Sequence, residues 1–196
     1  DKNTRQSIIA LIQREVVPAV GCTEPIAVAL CTARATETLG QRPEKITVML
    51  SANILKNAMG VGIPGTGMIR LPIAIALRAI VGRSEYELEV IKDVTPETLE
   101  EGKAYVDEKR IDIRLKAGIT EKLYIDVVCE AAGSKAEAVI SGSHTNFVYI
   151  SRDGETLLDV KNTGCEDGDS GDPELFMRTV YDFATTTPVD EIAFIL

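Results

Sequence analysis

Apolar positions in the first third of the chain recur at helical spacing. Ile8, Ile9, Ile12 and Val16 predict a helix over residues 4–17, closed by Pro18. Residues 24–39 predict an alanine-rich second helix with Gly40 as its C-cap, and its wide apolar surface predicts a central place in the fold. The period then shortens. Lys45 to Leu50 alternates and is β-branched, so residues 45–50 are expected as a strand. A short helix over 53–59, a glycine-rich loop over 60–67 and a very apolar helix over about 70–81, ended by Gly82, follow. Residues 84–92 and 96–109 are also expected to be helical, with Pro96 and Glu97 marking the second start.

Beyond residue 109 the pattern changes character. Strands are expected at 110–115, 122–131, 135–142, 145–152 and 155–161, with hairpin turns at Gly133-Ser134 and Asp153-Gly154. This reads as an antiparallel meander. A Gly/Asp loop at 164–172 precedes a helix at 173–186 that starts at Pro173, and Val189, Ile192, Ala193 and Leu196 share helical spacing. No internal repeat or low-complexity tract is visible. Partly segregated helices and strands favour an α+β fold over a doubly wound sheet: one unit over 1–196, in which an antiparallel β-meander at about 110–161 packs with a group of apolar helices from about 1–109, followed by terminal helices at about 173–196.

Composition narrows the function classes. With 196 residues and 45% apolar side chains the chain is long enough to bury a core. A formal net charge of -9 argues against a generic nucleic-acid or anionic-membrane partner. No apolar stretch is long enough for a bilayer and no signal-peptide pattern opens the chain, so the expected location is cytoplasmic. The cysteines Cys22, Cys31, Cys129 and Cys165 form no CxxC pair and match no zinc spacing. Cys31 and Cys129 lie in apolar runs and are expected as inert core thiols, whereas Cys165 sits in the polar loop. A start at Asp1 and an apolar end, Ile192-Ala193-Phe194-Ile195-Leu196, give the expectation of a fragment or of further residues.

Three places offer chemistry. In Gly21-Cys22-Thr23-Glu24-Pro25 a cysteine stands at the start of a helix, where unpaired N–H groups and the dipole stabilise a thiolate. Glu24 opposes that effect if its charge comes close, and a buried inert thiol is the competing reading. Asn53, Lys56 and Asn57 fall at i, i+3 and i+4, so two amides and an ammonium share one helix face suited to a carboxylate. The glycine loop after them offers backbone N–H groups, although an ordinary polar face followed by a connector fits the same residues. It lacks the Gly-Lys-Ser/Thr ending of a P-loop and the glycine spacing of a dinucleotide fingerprint. His144, the one histidine, sits in Ser141-Gly142-Ser143-His144-Thr145-Asn146 between two strand candidates. It serves as acid, base or donor, or simply as a satisfied turn residue. No serine lies in a nucleophile elbow.

Taken together the chain resembles the L-cysteine desulfidase family, which is related to the iron–sulfur L-serine dehydratases. The resemblance is carried by Pro18-Ala19-Val20-Gly21-Cys22-Thr23-Glu24-Pro25-Ile26, by Ser51-Ala52-Asn53-Ile54-Leu55-Lys56-Asn57 with Gly60-Val61, Pro64-Gly65-Thr66-Gly67 and Leu71-Pro72-Ile73, by Glu89-Val90-Ile91-Lys92-Asp93, and by Gly142-Ser143-His144-Thr145-Asn146. It implies a lyase that removes sulfide and ammonia from L-cysteine to give pyruvate, with a [4Fe–4S] cluster and no pyridoxal phosphate. The resemblance makes Cys22 the proton acceptor and Asn53, Lys56 and Asn57 the contacts of a small amino-acid substrate. Ser51, Thr66 and Thr145 are further polar groups of the pocket, and His144 is a candidate proton donor to the leaving sulfur. The family's cluster cysteines lie in a C-terminal half with no counterpart here, so no metal ligand is expected in this chain, and its main partner is that half of the same protein. A homo-oligomer is a further possible assembly. The same elimination on L-serine, and a non-catalytic binding domain or regulatory subunit, are the alternatives.

Overall fold

The computed structural model describes residues 2–16, 21–63, 66–69, 71–81, 83–89, 94–160 and 173–195. Pro18, Gly82, Cys165, Leu196 and the 164–172 loop lie outside the described residues, as do Ala19-Val20, Pro64-Gly65 and Val90-Ile91-Lys92-Asp93 of the family motifs. The helices are α1 (Lys2–Glu15), α2 (Thr23–Leu39), α3 (Ala52–Met59), α4 (Leu71–Val81), α5 (Pro96–Asp107) and α6 (Met177–Thr186). The strands are β1 (Lys45–Leu50), β2 (Gly62–Ile63), β3 (Met68–Ile69), β4 (Ile111–Leu115), β5 (Tyr124–Ala131), β6 (Ser134–Ser141), β7 (Phe147–Arg152) and β8 (Glu155–Asp159). The chain divides into two compact units, residues 1–18 with 163–196 and residues 19–162.

The larger unit is an α+β fold. Its six-stranded sheet has the order β4-β1-β5-β6-β7-β8. Strands β5 to β8 form the expected antiparallel meander. The expectation that the meander begins with 110–115 needs correction: β1 lies between β4 and β5, and β4 runs parallel to it. The eight residues 116–123 between β4 and β5 are too many for a tight hairpin. The long helical stretch between β1 and β4 supplies the crossover that a parallel pair requires. Burial explains why β1 is internal. Ile46, Val48 and Leu50 are fully buried and stand opposite Cys129, Val127 and Ile125 of β5, which in turn face Ala136, Ala138 and Ile140 of β6.

Helix α2 lies on that apolar face and is buried almost all round, as its composition predicts. It packs against α4 on its other side, and α5 packs on α4. At the α4–α5 contact a Cβ on Gly102 would stand 3.1 Å from Leu77 and 3.2 Å from Ile73, so glycine permits the close approach. Tyr105 of α5 is buried and donates its hydroxyl to the Pro43 carbonyl at 2.7 Å, tying α5 to the entry of β1. Thr95 and Thr98 cap α5 reciprocally with Pro96 in its first turn.

Three boundaries differ from expectation. Of the helix expected over 84–92, the described part, Ser84–Glu89, is a 3₁₀ segment with Glu87 at φ 44°. Ser84 gives both its N–H and its hydroxyl to the Glu37 carboxylate of α2, at 2.6 and 2.5 Å, which fixes the segment before an α ladder starts. The β5–β6 turn is Ala132-Gly133, one residue early, because both adopt the positive φ that a tight hairpin needs, while Ser134 already pairs with Ala131. The glycine-rich stretch at 60–67 contributes β2, which pairs antiparallel with β3 over two residues of each strand.

The smaller unit contains α1, α6 and a 3₁₀ segment, Val189–Ile195. Arg5 joins them, with its guanidinium 3.4 Å from the Glu191 carboxylate and donating to the Thr186 carbonyl at 3.2 Å. The helix expected from Pro173 starts at Met177, with Phe176 extended as its N-cap.

Candidate functional site

The course of α2 decides what meets at the site. Cys31 donates to the Ala138 carbonyl at 3.2 Å, Thr36 lies 3.8 Å from the Cys129 sulfur, and Gln41 donates to the Ala131 carbonyl at 3.0 Å. The helix therefore tracks β5 from near its start to its end. Cys22 stands nine positions before Cys31, roughly 13 Å of helix rise, so it projects past the sheet end where β5 begins. There Cys22 is the N-cap residue of α2, exposed, and its side chain makes no capping bond.

The same end of the sheet carries the start of α3. Ser51 N–H donates to the Tyr124 carbonyl at 3.0 Å, and its hydroxyl donates to the Lys122 carbonyl at 2.7 Å while accepting from the Ile54 N–H. Ser51 is buried, so its hydroxyl holds α3 in place. From there α3 runs to α2, where Asn57 Nδ2 donates to Glu24 Oε1 at 3.3 Å. Thr23 adds a hydroxyl to the same carboxylate at 3.4 Å. Glu24 is the site residue that sequence reasoning missed as a contact. It lies 33 residues from Asn57, and no local signal pairs them. Asn53 and Lys56 are exposed on α3, and no ion pair holds Lys56 among the described residues.

The β6–β7 turn closes the same end. Gly142 N–H donates to the Leu123 carbonyl at 3.1 Å, and Asn146 donates through Nδ2 to the Ser141 carbonyl at 2.9 Å. These bonds hold His144 and Thr145, both half-buried, beside the start of β5. Thr66 stands apart in the β2–β3 hairpin, buried, with its hydroxyl donating to the Ile63 carbonyl at 2.7 Å. Of the eight expected site residues, the seven besides Thr66 lie on elements that meet at this end of the sheet: Cys22 at the start of α2, Ser51, Asn53, Lys56 and Asn57 on α3 and its cap, and His144 and Thr145 in the β6–β7 turn.

A groove of about 380 Å³ runs beside the rim, between Ser51–Asn53 and the 115–122 loop. Lys116 lines it and forms an ion pair at 2.9 Å with Asp126, whose side chain is 2% exposed. The hydrogen bond to Asp126 raises the Lys116 ammonium above the ordinary lysine range. Burial raises the Tyr124 hydroxyl and the Glu137 carboxyl on the same sheet face.

The thiols divide sharply. Burial pushes Cys129 up to about 12 and Cys31 well above the usual thiol range, as expected of core residues. Both sulfurs are engaged in the interior, and Cys22 is the exposed thiol among the described residues. The described thiols therefore do not fit a cluster ligand set, and no group of three or more metal-ligating side chains occurs among the described residues. No described helix is long and apolar enough to cross a membrane.

Comparison with known proteins gives the chain relatives. It is 66% identical over 195 residues to a UPF0597 protein of Bacteroides fragilis, and the match covers 100% of this chain and 46% of that protein. UPF0597 proteins of Phocaeicola vulgatus and Bacteroides thetaiotaomicron are each 63% identical over 195 residues, covering 100% of the chain and 45% and 46% of the relative. The chain thus spans about half the length of the curated relatives it matches. Their shared name gives no activity. No family model matches the chain.

Proposed function

We propose that this chain forms the proton-abstracting and substrate-holding part of a lyase that eliminates sulfide and ammonia from L-cysteine to give pyruvate. One observation carries the reading. An exposed cysteine whose side chain makes no capping bond stands at the N-cap position of α2, and the amide-bearing face of α3 is hydrogen-bonded to that same helical turn. In this reading Cys22 Sγ, as thiolate, takes the α-proton of the substrate. The C–H electron pair becomes the Cα=Cβ bond as the Cβ–S bond breaks, and sulfide leaves with a proton from His144. The resulting aminoacrylate tautomerises to an imine, which water hydrolyses to pyruvate and ammonia.

Substrate holding follows from donor and acceptor chemistry. Asn57 gives Nδ2–H to Glu24, which leaves its Oδ1 as an acceptor for the substrate ammonium. Lys56 on the same face supplies a cation for the carboxylate. The resemblance assigns a [4Fe–4S] cluster to the rest of a polypeptide as long as the relatives, and Cys31, Cys129 and Cys165 match none of the cluster motifs.

The test uses that complete polypeptide, reconstituted anaerobically with iron and sulfide. We expect it to release sulfide and pyruvate from L-cysteine faster than it releases pyruvate from L-serine, and the 196-residue chain alone to release none. Cys22→Ser should lower kcat by about 10²- to 10⁴-fold, the contribution of a positioned base. Near-normal turnover of that variant removes Cys22 from the mechanism.

A further inference from the structure

Helix α6 is amphipathic in the wrong sense for a helix complete in itself. Its Thr179, Phe183 and Thr186 form one wall of a groove whose other wall is Thr4, Arg5 and Ile8 of α1. That mixed polar side is the one turned toward a neighbour, and Arg5 adds its bond to the Thr186 carbonyl. Within this unit the apolar side is open, with Phe176 at its edge beside Asn3, Thr4 and Ser7 of α1. Phe176, Met177, Val180 and Tyr181, spaced i, i+1, i+4 and i+5, make a continuous stripe with exposures of 65%, 82%, 44% and 65%. Leu175, preceding the stripe, is 52% exposed, and no residue of α6 is buried.

A ten-residue helix gains little stability from propensity alone and depends on burying its apolar face. Contiguous exposed apolar surface of this kind marks an interaction site. We infer that the Phe176–Met177–Val180–Tyr181 stripe is the seat of the remaining part of a longer polypeptide, against which α6 packs. Three observations select that occupant. The relatives match this chain end to end yet are about twice as long, so each carries a comparable mass of chain with which such a face is able to pack. The stripe contains no charged residue; the Arg178–Asp182 ion pair at 3.5 Å lies off it, so the surface suits permanent apolar packing rather than a salt-sensitive encounter. Its aromatic and methionine content is that of an interface core. The inference rests on the reading that the working enzyme includes a second half, and it adds the surface through which the halves are joined.

The experiment is hydroxyl-radical footprinting of Met177, read by mass spectrometry, with half-buried Met49 as internal reference. It is run on the complete polypeptide and on the 196-residue chain, each at low and high concentration, with sulfide release from L-cysteine measured on the same samples. Oxidation of Met177 in the complete polypeptide is expected to fall severalfold, to the level of Met49 or below, independently of concentration, while Met177 in the shorter chain stays several times more reactive than Met49. Equal reactivity in both proteins overturns the inference. So does protection already present in the shorter chain, which means that this chain covers the face itself, and so does protection that grows with concentration, which assigns the face to a second copy. Protection without sulfide release leaves the interface standing and removes the lyase reading; sulfide release with an unprotected Met177 does the reverse.

Discussion

At the scale of single residues the candidate site rests on who holds whom. Glu24 takes the Asn57 amide, so Asn57 presents an oxygen, and Lys56 projects from the same face without an ion-pair partner among the described residues. If Lys56 binds the substrate carboxylate, Lys56→Met should raise KM by about tenfold to a hundredfold with little change in kcat, the loss of one charged hydrogen bond. Steady-state kinetics on the complete polypeptide check this, and unchanged KM removes the role. Glu137 gives a pH-dependent test of the sheet. Burial, reinforced by Asp126, raises its carboxyl above the ordinary range, so the folded state holds that proton more tightly than the unfolded chain. Stability associated with Glu137 is therefore full below the ordinary glutamate range and is lost as pH rises through the raised value. Glu137→Gln should raise the thermal midpoint near neutral pH and lose that advantage near about pH 4, as thermal unfolding at both pH values will read. The Cys22 thiol and the polar face of α3 were legible as residues, because helix starts and i, i+3, i+4 spacing are local. The Glu24–Asn57 contact was not, because tertiary packing makes it.

At the scale of elements the short α3 is the pivot. It is held at its start by Ser51 and at its end by Asn57, and it carries the polar face between them. Ser51→Ala removes a cap and a buried donor to the Lys122 carbonyl together, so chemical denaturation should show a loss of about 1–2 kcal/mol. A loss near zero would mean that water or Asn53 replaces the cap. Most elements were readable from periodicity: α2 from its alanine-rich apolar run, β5 to β8 from alternation and turn residues. The segment at Ser84–Glu89 departs from the expected helix because the Glu37 carboxylate holds Ser84 and the positive φ of Glu87 imposes a tighter turn. The alternation of β1 predicted a strand but contained nothing about its neighbours.

At the scale of the molecule two units are present, each with its own logic. The larger gathers the candidate site on one end of a sheet, and the smaller presents an apolar stripe that we assign to the rest of a longer polypeptide. The sequence by itself determined the α+β class, the buried character of Cys31 and Cys129, the helix start at Cys22 and the polar face of α3. These follow from periodicity, capping and burial preference, which act within a few residues. Only the tertiary structure decided that β1 separates β4 from β5, that Glu24 meets Asn57, and that Cys22, Ser51 and the His144 turn share one rim. Those outcomes depend on strand order and on the direction in which α2 crosses the sheet, and contacts between residues far apart in the chain are set by the packing of the whole core.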